Sequence, residues 1–151
     1  PTDGFGSDVT TGYLLDDLYR TLGNAPSAGI TVFLDACFSG AKREGDMMAA
    51  ARAVAIKVKK NVPVGNMVVF AAAQSDETAY QNNKEKHGLF TYYLLKKLQE
   101  TKGNVTLQEL GDDIITNVRQ QSLILNGKSQ TPSVIPSANL IEDWKSWTLT
   151  H

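Results

Sequence analysis

Cysteine is almost missing from this chain: Cys37 is the only one in 151 residues. A single thiol excludes an intrachain disulfide framework, and no Cys-His spacing suits a zinc site. An excess of charge of one sign is missing too, with 15 Lys and Arg against 16 Asp and Glu. No block of basic residues suggests a nucleic-acid groove or a membrane-surface patch. No apolar run reaches the ~18 residues that a transmembrane helix needs. Internal repeats and low-complexity segments are lacking. The one G-x-G, Gly4-Phe5-Gly6, has no third glycine and no buried strand before it, which argues against a dinucleotide-binding turn. The chain starts at Pro1 without Met, so a signal peptide would be invisible, and the compartment is open between cytosol and periplasm.

What is present suits one domain with a sizeable core, at 42% hydrophobic residues. Leu14, Leu15, Leu18, Tyr19 and Leu22 mark one side of a helix. Thr10 or Thr11 is its expected cap and Gly23 its stop. "ITVFLDA" (residues 30–36) is β-branched and unbroken, as expected of a parallel strand buried on both faces. "AKREGDMMAAARAVAIKVKKNVPVGN" (41–66) reads as helix in its Ala-rich part and as strand in "AVAIKVK". "MVVFAAA" (67–73) is a second buried strand, and "QSDETAYQNNKEKHG" (74–88) a polar loop. Phe90, Leu94 and Leu98 give a helix that ends at Gly103. Thr106 and Glu109 fit a capping box, followed by an inward stripe of Leu107, Leu110, Ile114 and Val118. "LNGKSQTPSVIPSA" (125–138) is turn and short strand, and Trp144 and Trp147 lie near the end of the chain. This alternation predicts an α/β fold with a mostly parallel sheet between helices.

The chemistry concentrates in "DACFSG" (35–40). In open α/β sheets, sites gather beyond the carboxyl ends of the strands. Period-two geometry sends Asp35 and Cys37 to the same side, about 6–7 Å apart. A thiol acts as a nucleophile when it is a thiolate, which a neighbouring carboxylate disfavours. Asp35 is therefore a poor activator and a better floor for a pocket that takes a cationic group. The plain alternatives stand beside this: a lone strand-end Cys is often a small buried hydrophobe, and a lone Asp often a turn residue.

"DACFSG" resembles the nucleophile motif of caspase-like cysteine peptidases. Asp before Ala-Cys, with Ser-Gly after, is the pattern of metacaspases and their bacterial, orthocaspase-type relatives. "VVFAAAQSDETAY" resembles the strand and loop that line the cleft in that group. "HGLFTYYLLKKL" resembles the next helix and "SQTPSV" the late strand entry. The likeness runs in order over most of residues 10–140. It implies a three-layer α/β/α caspase-like fold, with residues 1–151 as one partial catalytic domain that lacks the fold's N-terminal strands. It also implies that Cys37 is the nucleophile, that its own N–H helps bind the oxyanion, and that Asp35 is the acid of the S1 pocket. Ser75 and Asp76 then line the cleft. Cleavage after Arg or Lys is implied, with a peptide or protein as substrate and no organic cofactor.

The pattern breaks at the base. The family carries His-Gly upstream of the Cys, yet none of the 36 residues before Cys37 is His. Three explanations stand open. The His-bearing segment belongs to the same protein upstream or as a separate chain; or the domain is an inactive scaffold that holds basic peptides; or His87 serves. His87-Gly88 comes after the nucleophile and opens a helix, which makes it a poor base candidate. Missing strands would leave an apolar sheet edge that calls for a partner segment. Lys42 and Arg43 follow the nucleophile closely, as a candidate self-cleavage site or as a plain solvated basic loop. Some metacaspases hold calcium on clustered acids. Glu44 and Asp46 form no such cluster, so calcium dependence is open.

Overall fold

The computed structural model describes residues 13–36, 62–74, 77–82 and 86–149. Helix α1 (Leu15–Gly23) has its N-cap at Leu14, with no side-chain cap, and not at Thr10 or Thr11 as expected. Its charges compensate: Asp16 and Asp17 lie in the first turn and Arg20 in the last, the order the helix dipole favours. Gly23 is the final helical residue, not the stop beyond it. It is small because the chain before β2 crosses there. A methyl carbon on Gly23 would lie 2.7 Å from the Val64 carbonyl oxygen, and one on Gly65 would overlap the Gly23 oxygen.

Strand β1 (Ile30–Leu34) runs parallel to β2 (Met67–Ala71), with Ile30 opposite Met67 and Leu34 opposite Ala71. Strands β3 (Gln81–Asn82) and β4 (His87–Gly88) form a separate antiparallel hairpin inside the segment expected to be loop. Helix α2 (Leu89–Thr101) follows directly and ends on two left-handed residues, Lys102 at φ 54° and Gly103 at φ 79°. Helix α3 (Leu107–Asn126) opens with the expected capping box: Thr106 Oγ1 accepts from the Glu109 N–H, and Glu109 Oε2 accepts from the Thr106 N–H. Strand β5 (Ser133–Pro136) returns antiparallel to β2, so the sheet order is β1-β2-β5 and the sheet is mixed. The expectation of mostly parallel pairing therefore holds for β1 and β2 and not for β5. The connection from α3 is too short to cross back over the sheet for a parallel entry.

Alternating side chains build the three layers. Met67 and Val69 of β2 pack with Tyr19 of α1, and Ile30, Val32 and Leu34 of β1 lie against them. Val68 and Phe70 face the other way, onto Phe90 and Leu94 of α2 and Leu110, Ile114 and Val118 of α3. Phe33 joins this second layer at 5.0 Å between ring centroids from Phe70. Lys97 of α2 and Asp113 of α3 pair at 2.9 Å, and this hydrogen bond holds the Lys97 ammonium above its ordinary range. Trp144 and Trp147 pack on the same core, and the Trp147 carbonyl accepts from the Leu107 N–H at 2.7 Å.

β2 is buried along its whole length, as its sequence predicts. β1 is only half-buried at all five residues, which corrects the expectation of a strand covered on both faces. Among the described residues β1 pairs on one side only, so its second edge carries no strand to shield it. No described helix is long and apolar enough to cross a membrane.

Candidate active site

Because β1 and β2 are parallel and in register, their carboxyl ends open at one edge of the sheet. The Ala72 N–H donates to the Leu34 carbonyl at 2.9 Å and carries the ladder one step past the strands. Asp35 is the next residue on β1's side. Its parity sends it toward the α2 layer together with Phe33.

The Asp35 carboxylate meets the start of α2. Thr91 Oγ1 donates to Asp35 Oδ2 at 2.6 Å. Asp35 is half-buried, on the border between core and surface. Gly88, the N-cap of α2, has φ −61°, so its backbone imposes no need for glycine. The need is spatial: a methyl carbon there would overlap Asp35 Oδ2 and sit 3.0 Å from Asp35 Cγ. The helix has no side-chain cap of its own and no acidic residue in its first turn. Asp35 thus brings negative charge, from another element, to the positive end of the α2 dipole.

A second set of bonds frames the chain that leaves β2. Gln130 is fully buried, and its side-chain amide bridges two stretches of this chain. Its Oε1 accepts from the Tyr80 N–H at 2.8 Å, and its Nε2 donates to the Ala72 carbonyl at 2.9 Å. Ser122 Oγ accepts from the Gln130 N–H at 2.9 Å and fixes the glutamine from below. Beside it, Glu77 accepts from both the N–H and the hydroxyl of Thr131. Tyr80 in turn accepts from the Leu89 N–H at 2.9 Å. The frame therefore runs from the end of β2 through Gln130 and Tyr80 to the first residue of α2, and on to Asp35 through Thr91.

Of the residues singled out from sequence, Asp35 stands at the carboxyl edge as expected. Cys37, Lys42, Arg43, Glu44, Asp46, Ser75 and Asp76 lie outside the described residues, as do Thr10, Thr11 and residues 41–61 of the ambiguous segment, whose last five residues form neither helix nor strand. His87 is exposed and belongs to β4, one step before α2, and does not open the helix. Thr91, Gly88, Gln130 and Glu77 were not expected. Gln130 lies within "SQTPSV", but nothing in a polar, turn-rich stretch marks one glutamine as buried. A cleft of about 520 Å³ lined by Gly29, Thr31, Trp147 and Leu149 lies at the amino end of β1, away from Asp35.

Asp35 thus stands at the carboxyl edge of a helix–sheet–helix sandwich, two residues before Cys37 in sequence. The family model for the caspase domain, peptidase C14, matches residues 2–140, and the chain belongs to this family of cysteine peptidases. Comparison with curated proteins gave no match, and neither did comparison with solved structures.

Proposed function

We propose that this chain carries the nucleophile of an endopeptidase that cleaves after Arg or Lys, and that residues 1–151 form one part of its catalytic domain. The observation that carries this reading is the Asp35 carboxylate at the carboxyl edge of β1, held by Thr91 two residues before Cys37. An anion fixed there attracts a cationic side chain and repels an acidic one. The same anion opposes ionisation of the thiol, so the chemistry needs a base. That base is a histidine outside this chain, either upstream in the same protein or on a separate chain. β1 is half-buried and, among the described residues, pairs on one side only, which supports such a neighbour, since an apolar strand edge favours further pairing.

The reaction follows from these parts. The histidine takes the Cys37 thiol proton, and the thiolate attacks the carbonyl carbon after the basic residue. Backbone N–H groups, that of Cys37 among them, hold the oxyanion; loss of one such donor typically lowers the rate ~10²–10³-fold. The histidine returns its proton to the leaving amine, and water then releases the acyl group. Ser75 and Asp76 line the cleft, and Lys42 and Arg43 are its self-cleavage site.

The test is turnover by the intact protein of peptides that differ only in Arg, Lys or Asp before the scissile bond, with Cys37→Ala as control. Arg and Lys peptides are expected to be cleaved, and the Asp peptide and the control to be silent. Equal turnover of the Asp peptide contradicts the role of Asp35. Turnover that survives Cys37→Ala contradicts the nucleophile. Appearance of fragments cut at Lys42 or Arg43 in both proteins rules out self-processing.

A further inference from the structure

We infer that Thr91 is a positioning residue for substrate specificity: it fixes the plane of the Asp35 carboxylate against Gly88, so that this group recognises a planar guanidinium by geometry as well as by charge. The inference rests on the cation-selective reading of Asp35 given above.

A carboxylate at the end of a strand has a soft terminal torsion, and its two oxygens sweep a broad arc unless something holds them. Here one oxygen is held twice. Thr91 Oγ1 donates to Asp35 Oδ2 at 2.6 Å, a length typical of a charge-assisted bond. The bare Cα of Gly88 forms the wall against which the same oxygen rests. Both contacts come from residues whose backbone is held in regular structure. Gly88 is paired with Gln81, the Leu89 N–H is bonded to Tyr80, and Thr91 lies in the first turn of a thirteen-residue helix. Each ionised carboxylate oxygen has more than one acceptor site, and the Thr91 hydroxyl takes one of them.

Orientation matters unequally to different cations. An ammonium group is a compact point charge and tolerates a rotating partner. A guanidinium presents parallel N–H donors in a fixed fork and gains most from a carboxylate already in plane. Removing the Thr91 hydroxyl should therefore weaken recognition of Arg more than that of Lys. A merely structural role for Thr91 would weaken both alike.

The experiment uses the intact protein carrying Cys37→Ala, so that binding is read without turnover. Calorimetry compares three peptides with Arg, Lys or citrulline before the scissile bond, citrulline being the neutral, planar counterpart of Arg. The unmodified pocket is expected to bind Arg at least about tenfold more tightly than citrulline. In Thr91→Val the Arg-over-citrulline ratio is expected to fall about tenfold, the size of one charge-assisted hydrogen bond. The Lys-over-citrulline ratio is expected to fall less, and Thr91→Ser to restore both. Gly88→Ala displaces the carboxylate by another route and should reproduce the Arg loss, which covers the case of a Thr91→Val protein that does not fold. An unchanged Arg ratio in either folded variant, or equal losses for Arg and Lys, overturns the inference and leaves the peptidase reading intact. No preference of the unmodified pocket for Arg over citrulline overturns the cation-selective reading, and this inference with it.

Discussion

Gln130 and Tyr80 are 50 residues apart in sequence, yet the glutamine oxygen accepts the tyrosine N–H at 2.8 Å inside the protein. With its nitrogen on the Ala72 carbonyl, the same side chain ties the end of β2 to the residues that lead into β3. Backbone groups buried away from water need such partners.

Gln130→Leu is expected to destabilise the protein by about 3 kcal/mol, because it leaves a buried donor and a buried acceptor unpaired at ~1–3 kcal/mol each. Urea unfolding measures this. The Tyr80 amide should also exchange with deuterium much faster than amides of β2. A change below about 0.5 kcal/mol with the Tyr80 amide still protected would remove Gln130 from the frame.

Gly65 and Gly127 separate backbone strain from steric overlap. Both are left-handed, at φ 70° and 64°. A methyl carbon on Gly127 meets nothing within 4 Å, whereas one on Gly65 runs into the Gly23 backbone. Gly127→Ala is expected to cost about 1 kcal/mol from strain alone. Gly65→Ala should cost at least about 2 kcal/mol more, the upper part of the range for overpacking, because backbone does not yield as a side chain does. Equal unfolding midpoints for the two variants would contradict the close crossing of α1 and the approach to β2.

The capping box makes a pH prediction. The Thr106 N–H and, secondarily, its hydroxyl hold the Glu109 carboxyl below its usual range. A carboxylate whose value is lowered by folding stabilises above its unfolded value, ordinarily about 4.3, and loses that contribution as pH falls through the lowered folded value. Wild type should therefore exceed Glu109→Gln in thermal stability at neutral pH, and the gap should close in acid. A gap that persists unchanged at a pH where Glu109 is fully protonated would contradict the assignment. Thr106→Ala, which removes the cap itself, should cost about 1 kcal/mol at neutral pH.

Asp35→Asn keeps the shape of the side chain and an oxygen for Thr91 while removing the charge. Turnover of an Arg peptide is expected to fall about a hundredfold, in keeping with the loss of one partner of a close charge pair. The citrulline peptide should be nearly indifferent to the change. A proportionate loss on both peptides would point to a collapsed cleft and away from a lost anion.

Much of the fold was legible before any coordinates. Leu107, Leu110, Ile114 and Val118 line the inward face of α3, and Thr106 and Glu109 cap it, because a stripe and a cap are local patterns. The β3–β4 hairpin was not legible. Its four paired residues are polar or glycine, and their pairing is fixed by Tyr80 and Leu89 on the core beside them. The half-exposure of β1 was hidden for a related reason: an apolar run states what a strand can bury and says nothing of which neighbours it has.

The sequence alone determined helices α1, α2 and α3 and strands β1 and β2, since each depends on spacing within one stretch of chain. Only the tertiary structure decided that β5 runs antiparallel, that Gln130 is buried, and that Thr91 and Gly88 close on Asp35. Those facts join positions fifty or more residues apart. Contacts at that range depend on how helices settle on a sheet, and side-chain periodicity along one element carries no record of it.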